Sequence, residues 1–130
     1  MGGDGWDSPD LLKVSGKAAL ENTYYSNHFA ADTKQANAQA FLAAYKAKYG
    51  ETPDAMAALG FDAFNVLMNA MKNAKALTRE GVKDAIAQTK DFQAVTGSIS
   101  MDKDRNAVKP AVLLKFSADG GYKYFADVTL

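Results

Sequence analysis

The segment with residues best suited to binding chemistry is a glycine-rich loop at residues 2–7, GGDGWD. Glycines let the backbone approach a ligand closely, and the helix start that follows the loop favours anions. No Gly-Lys-Ser/Thr follows, so it is not a phosphate-binding loop. The carboxylates of Asp4 and Asp7 and the indole of Trp6 suit a small cationic group such as an ammonium. The alternative is a flexible terminus that binds nothing.

Other polar clusters give weaker indications of a site. Asp102, Asp104 and Asn106 alternate like the start of a calcium loop, but Ala107 stands where glycine is expected. A solvated turn is the better interpretation. His28 is the only histidine and cysteine is absent, so the sequence offers no cysteine–histidine metal cluster and no convincing catalytic set. We therefore expect no enzyme activity, no metal site and no cofactor.

Composition bounds the class of protein and the class of partner. A chain of 130 residues suits one domain with a modest core. Fifteen basic and fifteen acidic residues cancel, which removes the usual electrostatic case for nucleic acid or an anionic membrane as a partner. No apolar run is long enough to span a bilayer. Residues 1–10, MGGDGWDSPD, lack the basic and apolar segments of a signal peptide.

One apolar segment, residues 52–74, is predicted to organise the core as a helix of about 33 Å. Thr52 is its predicted cap, Pro53 fits the first turn, and Asp54 suits the positive end of the helix dipole. Apolar residues at spacings of three and four predict an inward stripe: Met56, Leu59, Ala63, Phe64, Leu67 and Met71, widened by Phe61 and Met68. Loops gather at its first turn, so Met56 is also a candidate to face a ligand.

The other segments predict a mixed order of helices and strands. Helices are expected from Ser8-Pro9-Asp10 to about Gly16, from a Thr33 cap to Tyr49 before Gly50, and from a Thr78 cap to about Thr89. Strands are expected at 22–29, 97–101, 111–117 and 121–130, with a polar turn at 102–107 and a hairpin turn at 118–121. A glycine-rich loop leading into a helix normally follows a buried parallel strand, and none precedes this loop. The order is typical of the later part of a larger α/β protein.

Three ordered segments of the sequence resemble the C-terminal part of branched-chain amino-acid-binding proteins, the type I periplasmic receptors of ABC importers. They are GGDGWDSPDLLKVSGKAALENTYYSNHF, FLAAYKAKYGETPDAMAALGFDAFNVL and DFQAVTGSISMDKDRNAVKPAVLLKF. The resemblance implies an α/β chain with a partial type I periplasmic-binding-protein fold, whose lobes are three-layer α/β/α structures. It places residues 1–29 in the second lobe, 33–89 among the helices of the first, and 92–130 in strands returning through the hinge.

The same resemblance implies amino-acid uptake as the function. In this family the amino acid binds in the cleft between two lobes, outside the cytoplasmic membrane, and an ABC transporter permease receives it. Asp4 matches the acidic position that pairs with the ligand ammonium. Met56 matches an apolar position that lines the pocket, and Trp6 lies near the site. The implied ligand is leucine, isoleucine, valine or a similar small molecule, and the implied location is periplasmic or extracellular.

Family receptors are more than twice as long as this chain, so residues 1–130 are expected to be a single truncated unit. The missing part holds most strands of both sheets and the groups that grip the ligand carboxylate. Uncovered sheet edges and apolar helix faces predict rearrangement, strand exchange or another homo-oligomer, and an isolated chain that is not binding-competent. The alternatives are a structural or engineered half-domain that binds nothing, and a sensor-type ligand-binding domain.

Overall fold

Helices occupy the middle of the chain in the computed structural model, which describes residues 1–8 and 10–129. A 3-10 turn spans Asp4–Trp6, and the helices are α1 Asp10–Ser15, α2 Lys17–Leu20, α3 Ala36–Tyr49, α4 Ala55–Asn73 and α5 Arg79–Ala87. The strands are β1 Tyr24–Asn27, β2 Phe92–Ala94, β3 Gly97–Met101, β4 Ala107–Val108, β5 Ala111–Phe116 and β6 Tyr122–Val128. Pro9, predicted in the first turn of the first helix, and Leu130, the predicted end of the last strand, lie outside the described residues.

The strands form two antiparallel sheets of three strands each, in the orders β1-β5-β6 and β2-β3-β4. In the first sheet Tyr25 lies opposite Leu114, and the pairing of β5 with β6 shifts register between Leu113 and Leu114. Gly2 forms an isolated parallel bridge with Tyr25 at the outer edge of β1. The N-terminal loop is therefore attached directly to this sheet.

Three clusters of buried apolar side chains hold the elements together. The first joins α3, α4 and the segments beside them: Phe29, Ala38, Phe41, Ala55, Ala58 and Val95. The second lies on the first sheet and contains Tyr25, Ala30 and Leu114. The third joins α4 to the second sheet through Val66, Ala94 and Ile99. Helix α4 contributes to two of the three clusters, so it does organise the core as the sequence predicts.

The start of α4 differs from the prediction. Asp54, not Thr52, is the N-cap, because its side chain accepts a hydrogen bond from the Ala57 amide at 2.8 Å. Pro53 therefore precedes the cap instead of lying in the first turn. A carboxylate satisfies a free helix N–H and also complements the helix dipole, which makes Asp54 an effective cap.

The predicted inward stripe of α4 is wrong for this chain. Met56 is 60% exposed and Phe64 is 59% exposed, and Phe61, Leu67 and Met71 are also exposed. The buried face instead carries Ala55, Ala58, Asp62, Val66 and Ala70. Small side chains let α4 approach its neighbours closely. Periodicity identifies an apolar face, but a helix with apolar residues around most of its circumference has more than one.

Asp62 is a buried carboxylate that the sequence analysis did not single out. It is 2% exposed, and its two oxygens accept hydrogen bonds from the amides of Val95 at 2.8 Å and Thr96 at 2.9 Å. Burial lowers the pKa of the nearby Lys109, and the negative charge of Asp62 opposes that shift. Asp62 thus fastens the middle of α4 to the turn between β2 and β3.

The remaining element predictions are confirmed in part. Gly50 ends α3 in the left-handed conformation, with a φ of 77°, and its amide donates to the Lys46 carbonyl. Thr78 caps α5 by accepting from the Gly81 amide at 3.1 Å. Thr33 is not the cap of α3, which begins at Ala36 without a side-chain cap. Strand β2 was not predicted, because three residues are too few to show an alternating pattern.

Candidate functional site

The GGDGWD loop is held against the outer edge of β1 by backbone hydrogen bonds. The Gly2 amide donates to the Tyr24 carbonyl at 2.8 Å, and the Ser26 amide donates to the Gly2 carbonyl at 3.1 Å. A β-carbon at Gly2 would collide with the Trp6 indole. Glycine at this position therefore permits a close approach that fixes the loop on the sheet.

The carboxylate of Asp4 is open to solvent. Its side chain is 53% exposed, and Oδ2 lies 3.4 Å from Nε2 of His28. In the sequence His28 has no second histidine or cysteine beside it, so the sequence does not indicate a partner for it. His28 directly follows β1, the strand that anchors the loop. This position is the one feature of the sequence that could have indicated its proximity to Asp4.

The second carboxylate of the loop, Asp7, is engaged by the protein. The Tyr25 hydroxyl donates to Asp7 Oδ1 at 3.0 Å, and the Ala55 amide donates to Asp7 Oδ2 at 2.9 Å. The sequence indicates Asp4 and Asp7 together as partners for a cationic group. The structure separates them, because both oxygens of Asp7 are committed to protein donors while Asp4 remains accessible.

Tyr25 supports this arrangement from the core. It is 1% exposed, and Asn27 Nδ2 lies 3.5 Å from its hydroxyl oxygen. Burial raises the pKa of Tyr25, and the negative charge of Asp7 raises it further. The hydroxyl therefore keeps its proton and serves as a donor to Asp7.

Trp6 lies against the second core cluster, beside Tyr25, Ala30 and Leu114, and is half-buried. Met56 lies in the first turn of α4, directly after Ala55, and its side chain is exposed. The hydrogen bond from Ala55 to Asp7 joins the loop to this turn. The structure thereby brings the two segments that carry the predicted site residues together at one end of α4. Contact of Trp6 or Met56 with a ligand stays a prediction.

A cavity of about 630 Å³ is lined in part by His28. Its polar lining includes His28, Asp32, Lys34, Thr96, Tyr124 and Asp127. The Tyr124 amide donates to both carboxylate oxygens of Asp32 at 3.1 Å. Asp4, Trp6 and Met56 do not line this cavity, which lies between the segment after β1 and the first sheet.

The acidic turn at residues 102–106 satisfies its own polar groups. Asp102 Oδ1 accepts hydrogen bonds from the amides of Asp104 and Asn106, each at 2.8 Å. Hydrogen bonds from Asn106 lower the pKa of Asp102. This geometry agrees with the interpretation as a solvated turn. Within residues 1–8 and 10–129, no group of three or more His, Asp or Glu side chains is placed to hold a metal ion.

The described helices include none that is both long enough and apolar enough to cross a membrane. A search of curated protein sequences found no match to this chain. A sequence profile of the family described as periplasmic binding protein matches residues 1–121.

Solved structures of binding proteins resemble the chain over almost its whole length. A leucine-binding protein from Thermotoga maritima is 32% identical, with a TM-score of 0.84, and the match covers 98% of this chain and 36% of that protein. A branched-chain amino acid transporter substrate-binding protein from Streptococcus pneumoniae, solved with isoleucine, is 36% identical, with a TM-score of 0.79 and the same coverage. A leucine-, isoleucine-, valine-, threonine- and alanine-binding protein from Brucella ovis, 21% identical with a TM-score of 0.81, shares the fold.

The sequence predicts a mixed α/β chain with part of the type I periplasmic-binding-protein fold. These matches confirm that prediction. The chain spans about 36% of the length of the first two solved relatives. Since the family profile matches most of its residues, from 1 to 121, the chain belongs to the periplasmic binding protein family.

Proposed function

We propose that this chain is part of an extracytoplasmic solute-binding protein that takes up a branched-chain amino acid, or a similar small ligand, for an ABC transporter permease. The observation that carries the proposal is the contrast between the two loop carboxylates. Asp7 is occupied by protein donors, whereas Asp4 is exposed on an anchored loop. Two relatives above 30% identity are described as a leucine-binding protein and an isoleucine complex, which supports this ligand class.

The chemistry of binding follows from the exposed groups. Asp4 pairs with the ligand ammonium through a charge-assisted hydrogen bond, which is stronger than a bond between neutral groups. Met56 and Trp6 present apolar surface to the ligand side chain. Such a site binds and releases its ligand unchanged, so we propose no catalytic role for the chain.

The proposed division of the chain follows the family arrangement. Residues 1–29 belong to the second lobe, 33–89 to the first, and 92–130 to the return through the hinge. Side-chain hydrogen bonds tie these segments into one unit. Asp7 joins the first segment to the start of α4, and Asp62 joins α4 to the turn before β3.

We propose that the isolated 130-residue chain is a fragment that does not bind its ligand alone and self-associates. The support is the exposed apolar face of α4, formed by Met56, Phe61, Phe64, Leu67 and Met71. Monomeric soluble proteins rarely leave a large continuous apolar patch uncovered. In the isolated chain a second copy covers this face. The second candidate function is a half-domain or sensor-type domain that self-associates and binds no ligand.

A chimera tests the proposed function while supplying the rest of the fold. Residues 1–130 replace the matching part of the Thermotoga maritima protein, and calorimetry measures leucine, isoleucine and valine binding. Asp4→Ala should weaken binding by about thirtyfold or more, because the ligand ammonium is left without its charged partner in the closed site.

Asp10→Ala is the matched control, because Asp10 is an exposed acid nearby that pairs with Lys13 at 2.8 Å. It should leave affinity unchanged. A folded chimera that binds none of the three amino acids would contradict the proposed function and favour the half-domain. Equal affinities of the Asp4→Ala and Asp10→Ala variants would contradict the role of Asp4.

A further inference from the structure

Asp7 is placed to do more than stabilise its own loop. We propose that Asp7 is a positioning residue that fixes the loop carrying Asp4 and Trp6 against the first turn of α4. This inference rests on the proposed function where it treats Asp4 as the ligand-binding residue. Asp7 itself does not touch the ligand in this arrangement, because both of its oxygens accept hydrogen bonds from the protein.

The two bonds of Asp7 reach different parts of the chain. Oδ1 accepts from the hydroxyl of Tyr25 in β1, and Oδ2 accepts from the amide of Ala55, which is 48 positions away in the sequence. Ala55 is the first residue of α4, and its amide is among the N–H groups that a helix leaves unpaired. The carboxylate therefore bridges the sheet that anchors the loop and the helix that carries Met56.

Helix capping alone does not account for Asp7, because α4 already has a local cap. Asp54 accepts from the Ala57 amide, while Asp7 accepts from the Ala55 amide, so two acids serve two different donors. Both also complement the positive end of the helix dipole. Losing Asp54 weakens one end of a helix. Losing Asp7 also releases the loop from that helix.

Asp7 joins the loop to α4, whereas the contacts of Gly2 and Trp6 are with the first sheet. Gly2 is fixed to β1 by two backbone hydrogen bonds, but it stands at the beginning of the loop. Trp6 packs beside Tyr25, so its position depends on how the end of the loop is held. Asp7 directly follows Trp6 and supplies that attachment. Asp4 lies between these two anchored ends.

Trp6 is the only tryptophan of the chain, so its fluorescence reports on the loop without a label. We compare wild type with Asp7→Ala, Asp7→Asn and Asp54→Ala by emission spectra, acrylamide quenching and hydrogen exchange of the Ala55 amide. Asp7→Ala should move Trp6 emission to longer wavelength and increase quenching. The Ala55 amide should exchange at least about tenfold faster, because it loses a hydrogen bond to a charged group.

The two other variants separate positioning from stability. Asp54→Ala should leave Trp6 emission unchanged even if it lowers the stability of α4. Asp7→Asn should keep a spectrum close to wild type, since its oxygen can accept from Ala55 and its amide can donate to the Tyr25 oxygen. Circular dichroism confirms that each variant is folded. If the Ala variant unfolds, exchange of the Ala55 amide in Asp7→Asn decides instead: it should be faster than in wild type, because a neutral amide oxygen is a weaker acceptor than a carboxylate, and an unchanged rate would count against the inference.

Two results would overturn the inference: an Asp7→Ala spectrum identical to wild type, or an Asp54→Ala spectrum shifted as far as that of Asp7→Ala. Neither readout involves a ligand. Failure of this inference is therefore distinguishable from failure of amino-acid binding in the chimera.

Discussion

Removal of the Asp62 carboxylate should cost this chain a large part of its stability. Asp62 is buried in α4, and its two oxygens accept from the amides of Val95 and Thr96, which are also buried. Each buried amide that loses its partner costs about 1–3 kcal/mol. Release of the buried charge offsets part of this loss. We therefore expect Asp62→Ala to lower the free energy of unfolding by about 2–4 kcal/mol.

Urea unfolding followed by circular dichroism measures this change, at one protein concentration because self-association affects apparent stability. Asp62→Asn retains one acceptor oxygen, so its loss should be about half as large. Asp84→Ala is the control, because Asp84 is an exposed helical acid that pairs with Lys83 at 3.2 Å. It should change stability by no more than about 0.5 kcal/mol.

Hydrogen exchange of the Val95 and Thr96 amides shows whether the loss is local. Both amides should lose protection in Asp62→Ala and keep it in Asp84→Ala. The proposed role of Asp62 is refuted if the free energy of unfolding of Asp62→Ala lies within about 0.5 kcal/mol of the wild-type value. It is also refuted if both amides remain protected, because another acceptor would then hold the turn between β2 and β3.

Two further predictions concern pH and self-association. Burial raises the pKa of Tyr25, so the folded chain keeps a proton that the unfolded chain loses above about pH 10. The free energy of unfolding should therefore fall as the pH rises above about 10, and Tyr25 should contribute about 1.4 kcal/mol to this fall per pH unit. Urea unfolding between about pH 9 and pH 11 should show a shallower decline in Tyr25→Phe, whereas Tyr49→Phe, at an exposed position, should match wild type. Equal slopes in all three would be inconsistent with a buried Tyr25. Phe64→Glu should shift the mass measured by light scattering toward the monomer, because it charges the outer face of α4. Val14→Glu, at a more exposed site on α1, should not, and a monomeric wild type would contradict self-association.

Local chemistry explains which elements the sequence predicts well. The C-terminal glycine of α3 and the threonine cap of α5 depend on residues within one turn, so their signals are visible in a short window. Residues 97–101 form β3 as predicted, since turn residues bound a short run of strand formers. Local signals were weaker at the starts of α3 and α4, where several polar residues compete to be the cap.

Contacts between distant residues explain what the sequence could not predict. The hydrogen bond that the Ala55 amide donates to Asp7 joins residues 48 positions apart, and those that Asp62 accepts join residues 33 and 34 positions apart. No periodic pattern contains this information. For the same reason the composition of the loop indicated a negatively charged site for a cationic group. It did not show that Asp7 is bonded to the protein while Asp4 is exposed, or that His28 lies beside Asp4.

The pairing of β1 with β5 has a consequence for the order of folding. Asn27 lies opposite Val112, so β1 cannot join the sheet until its chain connection to β5, residues 28–110, has closed into a loop. Closing so long a loop is entropically costly, and nonlocal pairing slows folding, whereas a helix such as α4 grows from neighbouring contacts. Trp6 packs on this sheet, so its burial should trail the helical signal in a stopped-flow refolding experiment. Until then the edge of β5 that pairs with β1 is open, and the refolding yield of the chain should fall as its concentration rises.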